Sequence, residues 1–498
     1  MMSRFWFAAL LLFLVPGLAG AEEGDTSAAA PPNVLMIAID DMNDWVGFLD
    51  GHPQAQTPNM DRLAQRSVNF TNAHCVSPAC SPSRLALLLG VQPFHSGFYP
   101  FYNHQKITAD KLNQYTSLPA AFRQSGYRSF GAGKIFHGYK ELGNHWDDYH
   151  KANDPKLNYN AKGGYQINKS RKMAFCPTTN PLEDHPDFQV TNYGIDVLNQ
   201  QHEKPFFLAV GIVKPHLPFV CPQQFFDLYS DPVQAPPIKN RDLGDVPPPG
   251  RAMASLKDDL KFRTDKAWED VRRAYLACNS WVDFNVGRLL EALENSPYAE
   301  NTIVILWSDH GYHFGEKRSF RKFSLWEEAT RVPLIVHDPR PGRMQAGSCS
   351  EAVSLIHVYR TLAEMTDMEV PDSLDGTSLV PQIQNPATPL DAPAITTWGR
   401  GNYSVRDDHV RYTRYFDGSE ELYDHRQDPQ EWVNLVNDPQ WQAQRDRLRK
   451  FLPQSEAPLH RPGVALWNVI DADRPERLDK FLQETWPNMR RKLRPPIE

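Results

Sequence analysis

Asn33-Val34-Leu35-Met36-Ile37-Ala38-Ile39-Asp40-Asp41 (NVLMIAIDD, residues 33–41) is the stretch from which the fold can be read. Val34 to Ile39 is apolar without alternation, as in a strand buried on both faces of a parallel sheet. Two acids close it. A solvated turn would explain Asp40-Asp41, but open α/β sheets also put ligands just outside the carboxyl end of a strand. The same pattern recurs. Residues 127–132 lead into Gly133-Lys134-Ile135-Phe136-His137, 206–212 into Lys214-Pro215-His216, and 302–307 into Ser308-Asp309-His310-Gly311. Between the last two, residues 266–293 repeat apolar positions at helical spacing (Val282, Val286, Leu289, Leu290, Leu293), and 332–336 read as a short later strand. The fold class is therefore α/β: a mixed, mostly parallel sheet sandwiched by helices. Four strand ends bearing Asp, Lys or His imply one site along one edge of that sheet.

The second informative stretch is CVSPACSPSRLALLLG, residues 75–90. Ser81 suits a helix N-cap and Pro82 the first helical position, which puts Cys80 just before a helix N-terminus, where free N–H groups and the helix dipole attract anions. Arg84 lies close enough in the first turn to help hold an oxyanion. Two plainer readings stay open: a Cys75–Cys80 disulfide, or an inert core thiol at Cys80. A thiolate phosphatase loop is excluded, since Cys-x5-Arg needs Arg where Ala86 stands.

The 498 residues allow one large α/β domain and a smaller one. The 42 prolines predict long ordered surface loops. A net charge of -7 and the lack of a basic stripe with interleaved aromatics argue against nucleic acid. An acidic protein that handles an anion must gather its cations locally. Arg4, the apolar run 5–15 and Ala19-Gly20-Ala21 read as a signal peptide over residues 1–21. Residues 22–32 then form a linker, and no later stretch is long enough to span a bilayer. The expected location is periplasmic or extracellular, or lysosomal in a eukaryote. Six irregularly spaced cysteines indicate neither a zinc cluster nor a disulfide scaffold.

Residues 33–374 read as the main domain. Within it 231–250, with Pro232, Pro236, Pro237 and Pro247 to Pro249, form a long irregular loop, expected as a substrate-facing wall. Residues 375–498 read as a smaller subdomain. Short alternating strands at 395–398, 402–405, 409–415 and 421–423 form a small antiparallel sheet, followed by helices at 441–452 and 474–486 and a basic end containing Arg494.

Asp40, Asp41, Asp309 and His310 form a cation site whose hard oxygens favour Ca²⁺ or Mg²⁺. Together with Cys80-Ser81-Pro82-Ser83-Arg84, GKIFH, VKPHLPF, SDHGYHFGE, FRKFSLWEEATRVPL and ELYDHRQDPQEWVNL, these segments resemble the sulfatase family of the alkaline-phosphatase-like superfamily, especially its iduronate-2-sulfatase branch. Leu89 departs from the family's usual Thr, which reads as a change in helix packing. The resemblance implies that Cys80 is oxidised to formylglycine by a formylglycine-generating enzyme. It implies that residue 80, Asp40, Asp41, Asp309 and His310 ligate Ca²⁺, with Mg²⁺ the lesser alternative. A hydroxyl of the hydrated aldehyde attacks sulfur, the alcohol leaves, and the second hydroxyl expels sulfate, dividing one hard displacement into two steps. By the same resemblance His137 is the base for that expulsion and Lys134 orients the diol. His216 and Lys322 bind sulfate and protonate the leaving oxygen, and Arg84 supports the nucleophile. Lys134, His216 and Lys322 are thus the substrate-binding candidates, with Tyr312 and His313 at the pocket rim. The substrate implied is a sulfated carbohydrate, with selectivity in loops and around Trp398, Arg400 and Arg406. Two further readings are a phospho- or phosphonate-ester hydrolase of the same superfamily and a non-catalytic glycan-binding protein on a degenerate scaffold.

Overall fold

The strand at Asn33–Asp40 (β1) is buried along its whole length. Val34, Met36 and Ala38 enter one apolar layer, and Leu35, Ile37 and Ile39 enter another. A strand covered on both faces has no polar side to show, hence the unbroken apolar run. The protein is described here by a computed structural model covering residues 30–99, 114–137, 145–152, 157–158, 165–166, 173–262, 265–460 and 469–492. Residues 1–21, read above as a signal peptide, most of the expected linker, and Arg494 lie outside the described residues.

Seven further strands complete the main sheet: β2 (Val68–Phe70), β3 (Arg128–Gly133), β4 (Asp148–His150), β5 (Phe206–Pro215), β6 (Thr302–Ser308), β7 (Leu334–His337) and β8 (Gly347–Cys349). Their spatial order is β8-β2-β7-β6-β1-β5-β3-β4, and only β7 runs antiparallel to its neighbours. β6, β1, β5 and β3 are contiguous and parallel, so their carboxyl ends emerge side by side. This mostly parallel sheet with helices on both faces is the alkaline-phosphatase-like fold. On one face, α2 (Cys80–Leu89) and α5 (Val358–Met365) bury Leu87, Leu88, Val358 and Leu362. On the other, α1 (Pro58–Gln65), α3 (Pro186–Leu198) and α4 (Asp265–Glu294) bury Leu63, Val190, Val282, Val286 and Leu289.

α2 begins two residues earlier than expected. Ala79, extended at φ -160, is the N-cap, Cys80 is the first helical residue and Pro82 the third. Proline lacks only an N–H that any first-turn position leaves unpaired, so the third place suits it as well as the first. The Ser83 N–H donates to the Ala79 carbonyl at 3.1 Å and closes that turn. All six cysteines are buried free thiols, which removes the Cys75–Cys80 disulfide. At the far end Leu89, 2% exposed, packs with Leu85 and Phe98. Leu89→Thr is expected to lower the unfolding free energy by about 2 kcal/mol while leaving kcat unchanged, as denaturant melts and turnover on one preparation will test.

The C-terminal antiparallel sheet is a four-stranded meander, β9 (Ala394–Thr397), β10 (Tyr403–Arg406), β11 (Val410–Arg414) and β12 (Glu420–Asp424). It clamps the approach to α2: Thr396 Oγ1 donates to the Cys75 carbonyl at 2.6 Å and the Thr397 N–H to the Val76 carbonyl at 2.9 Å. Within the loop 231–250, Gln234, Ala235, Pro236 and Pro237 line a cavity together with Asp44, His52 and Arg331. The loop's hydrogen bonds run to Gln54, Arg272, Lys317 and Trp432, so its polar groups tie distant segments together.

Candidate active site

The parallel strand ends converge as the sequence implied. At the end of β1 the chain turns through Asp41, whose φ of 67 lies in the left-handed region and costs a non-glycine residue energy. Neighbouring groups hold this turn. Its N–H donates to Asp309 Oδ1 at 3.1 Å, the Met42 N–H to Ser308 Oγ at 3.0 Å, and Tyr275 Oη, from the middle of α4, donates to the Asp41 carbonyl at 2.8 Å. At the end of β3, Gly133 (φ 73) faces Gly211 of β5. A Cβ on Gly133 would stand 2.1 Å from the Gly211 carbonyl oxygen, and one on Gly211 would stand 2.3 Å from the Lys134 backbone. Only paired glycines allow that approach, and it sets Lys134 beside Asp40.

Asp40, Asp41, Cys80 and His310 are brought together, with one donor atom from each within 4.8 Å of all the others. Cys80 Sγ lies 3.2 Å from His310 Nε2, 3.2 Å from Lys322 Nζ and 3.8 Å from Asp41 Oδ1. Lys322 Nζ donates to Asp41 Oδ1 at 2.5 Å, and Lys134 Nζ donates to Asp40 Oδ2. Asp309 stands next to the four, its Oδ1 3.5 Å from His310 Nε2. His216 Nε2 is 3.9 Å from Asp41 Oδ2. Its Nδ1 donates to the Leu217 carbonyl at 2.6 Å, so Nε2 is the atom aimed inward. Lys214 braces this turn through the carbonyls of His216 and Pro218. Half-buried His137 follows Lys134, and its pKa is lowered to about 3 by burial and then by Lys134.

Arg84 has a different place from the one expected. It is fully buried, with Nε on Asp309 Oδ2 at 2.6 Å, Nη1 on the carbonyls of Lys134 and Ile135, and Nη2 on the Ile39 carbonyl at 3.0 Å. Its donors thus tie together the ends of β1, β3 and β6, and the oxyanion role assigned from spacing is not what this geometry provides. Arg84→Ala would strand the Asp309 carboxylate. It is expected to cost about 3–5 kcal/mol of stability, read as a fall in Tm that Arg84→Lys only partly restores.

Tyr312 and His313 also differ from expectation. Both are buried behind the site, Tyr312 against Tyr275 and Phe314, His313 on Ser324 Oγ at 2.7 Å. Trp398 is buried beneath Phe323, while Arg400 pairs with Asp473 and Arg406 with Glu327. Sequence reasoning missed Ser83, whose Oγ donates to the Asp309 carbonyl at 2.6 Å, along with Ser308 and Tyr275. Ser83 lies inside the quoted motif and could have been found; nothing marks Tyr275.

The electrostatics are those of a packed ionic cluster. Burial pushes the Asp40 carboxyl up, but Lys134, His216, Arg84 and Lys322 outweigh it and hold it well below the usual range. Against the same burial, His216 and Lys322 bring Asp41 down to about 2. Burial and the neighbouring Asp40 push the Cys80 thiol up, so in this form it is a poor nucleophile. The donor set fits a divalent cation. Asp40 Oδ1 is buried without a hydrogen bond. His310 Nδ1 lies 3.0 Å from the Gly311 carbonyl, fixing the tautomer that turns the Nε2 lone pair toward the carboxylates. Asp309 would complete the set.

The family model described as Sulfatase matches residues 32–368, and that of the N-sulphoglucosamine sulphohydrolase C-terminal region matches 315–457. The chain belongs to the sulfatase family. A sulfatase of Formosa agariphila is 38% identical over 86% of this chain and 87% of that protein. The iduronate 2-sulfatase of Mus musculus is 30% identical over 73% and 74%. The phosphonate monoester hydrolase of Agrobacterium radiobacter superposes with a TM-score of 0.67 at 21% identity, covering 84% of this chain and 94% of that one. That likeness is one of fold alone. This sulfatase hydrolyses sulfate esters. Among its described residues no helix is long and apolar enough to cross a membrane.

Proposed function

We propose that this sulfatase is exported and desulfates a sulfated sugar, iduronate-2-sulfatase-like in kind, using formylglycine made from Cys80 by a formylglycine-generating enzyme, with Ca²⁺ held by residue 80, Asp40, Asp41, Asp309 and His310. One observation carries the reading. The side chain of residue 80 sits on the first turn of α2 at 3.2 Å from both an imidazole and an ammonium, inside the carboxylate cluster. A free thiol raised by burial has little use there, whereas an aldehyde hydrate at that position would present two hydroxyls to the same groups. The bound cation would polarise a sulfate oxygen and the diol.

The remaining roles belong to the chain's own side chains. Lys134 holds the diol while its ammonium stays on Asp40. Lys322 and His216 Nε2 bind the sulfate oxygens and pass a proton to the departing alcohol. His137, kept neutral by burial, takes the proton from the second hydroxyl when sulfate is expelled. Arg84 is a positioning residue that locks three strand ends and opposes the upward push of burial on the Asp309 carboxyl. These fixed charges stabilise the transferring anionic group most where water is excluded. Residues 33–374 supply the catalytic part and 375–498 the subdomain that clamps residue 75 to 80. Parallel assays of sulfate and phosphonate esters, with and without added Ca²⁺, test the reading. Faster turnover of the sulfate ester, raised by Ca²⁺, supports it; preference for the phosphonate ester contradicts it.

A further inference from the structure

Beside the reaction centre lies a groove of about 750 Å³ whose charge opposes that of the protein as a whole. Its lining holds five cations, Lys257, Lys261, Arg321, Arg477 and Lys480, against one carboxylate, Asp258. Asp258 binds Lys261 at 3.4 Å and Arg321 at 3.0 Å. The ammoniums of Lys257 and Lys480 are exposed and have no ion pair among the described residues. In a chain with a net charge of -7 such a concentration needs a reason.

The groove adjoins the site. Arg321 directly precedes Lys322, and the Phe323 N–H donates to the Pro78 carbonyl at 3.1 Å, two residues before Cys80. Met253 and Val469, each next in sequence to a lining residue, pack with Ala79 and Phe323. The far wall comes from the helical segment 476–485, which anchors on Leu243 and Trp326 through Trp486. That segment lies beyond residue 457, where the matched family regions end. Phe481 adds an apolar surface. The volume is that of a small-molecule site and would take sugar units, not a flat membrane face.

We propose that this groove is a distal anion-binding subsite. On the reading above, the substrate is then a polyanionic oligosaccharide or polysaccharide, whose cleaved sulfate enters the Cys80 site while a second sulfate or carboxylate lies between Lys257 and Lys480. Both lysines are exposed and neither belongs to the reaction centre. The test uses the full chain with Cys80→Ala, alone and combined with Lys257→Gln and Lys480→Gln, and a heparin-derived sulfated hexasaccharide as titrant in calorimetry. Removing the two charges is expected to weaken binding roughly tenfold and to flatten its dependence on salt. Unchanged hexasaccharide affinity overturns the proposal. So does a loss seen only with phosphatidylglycerol vesicles or single-stranded DNA. On the background with Cys80 intact, the same two substitutions are expected to leave turnover of 4-nitrophenyl sulfate unaltered; an equal fall there would mean the lysines support the fold and would also overturn it. Failure of 4-nitrophenyl sulfate turnover in the parent chain counts against the proposed catalytic reading, and the binding result still decides the subsite.

Discussion

Cys80→Ala is expected to abolish sulfate-ester turnover, by roughly 10⁴- to 10⁶-fold, the scale of losing a covalent nucleophile. The side chain is small and its contacts are polar, so the substitution deletes a reacting group without opening a large cavity. The fold should persist, because α2 is held by Leu87 and Leu88 in the core and by Arg84, not by residue 80. Loss of turnover with an unchanged melting curve separates the two effects. Activity within tenfold of the parent would mean that another group attacks sulfur.

Asp41→Asn carries the second large effect. Asp41 Oδ1 is shared by Lys322 at 2.5 Å and His310 at 3.3 Å, and its backbone is held in a conformation that costs energy. An amide keeps the shape but removes the charge that would bind a cation and anchor Lys322. Activity is expected to fall about 10³-fold, with bound calcium by elemental analysis falling in parallel. Chelation of the parent protein should reproduce both losses and lower Tm, since a cation that binds only the folded chain stabilises it by mass action. A chelated parent with full activity would argue against any role for a metal.

Much of this site was legible in the sequence, for physical reasons that differ between residues. Asp40, Asp41, Lys134, His216, Asp309 and His310 all follow strands that announce themselves by composition, and a parallel sheet must bring such ends to one edge. Cys80 stood out because its neighbours mark a helix start. Arg84 was visible as a site residue but not in its role. Spacing places a first-turn arginine near an anion, yet only the packing of β1, β3 and β6 shows that its donors are used on carbonyls and Asp309. Tyr312 and His313 follow the Asp309-His310 turn closely enough to suggest a rim. The chain instead enters the short strand His313–Phe314, paired with Phe320–Arg321, which takes both side chains inward. Tyr275 sits within a 30-residue helix whose periodicity records only core contacts. The cationic groove was invisible for a similar reason. Its lysines and arginines come from separate segments, Lys257 and Lys480 more than 200 residues apart in the chain, which meet through the packing of Trp486 and Val469.

The most direct measurement is the mass of the peptide bearing residue 80, from protein made together with a formylglycine-generating enzyme. An aldehyde in place of the thiol at that position, in proportion to specific activity across preparations, is the expected result. Fully active protein in which residue 80 is still an unmodified cysteine would contradict the account.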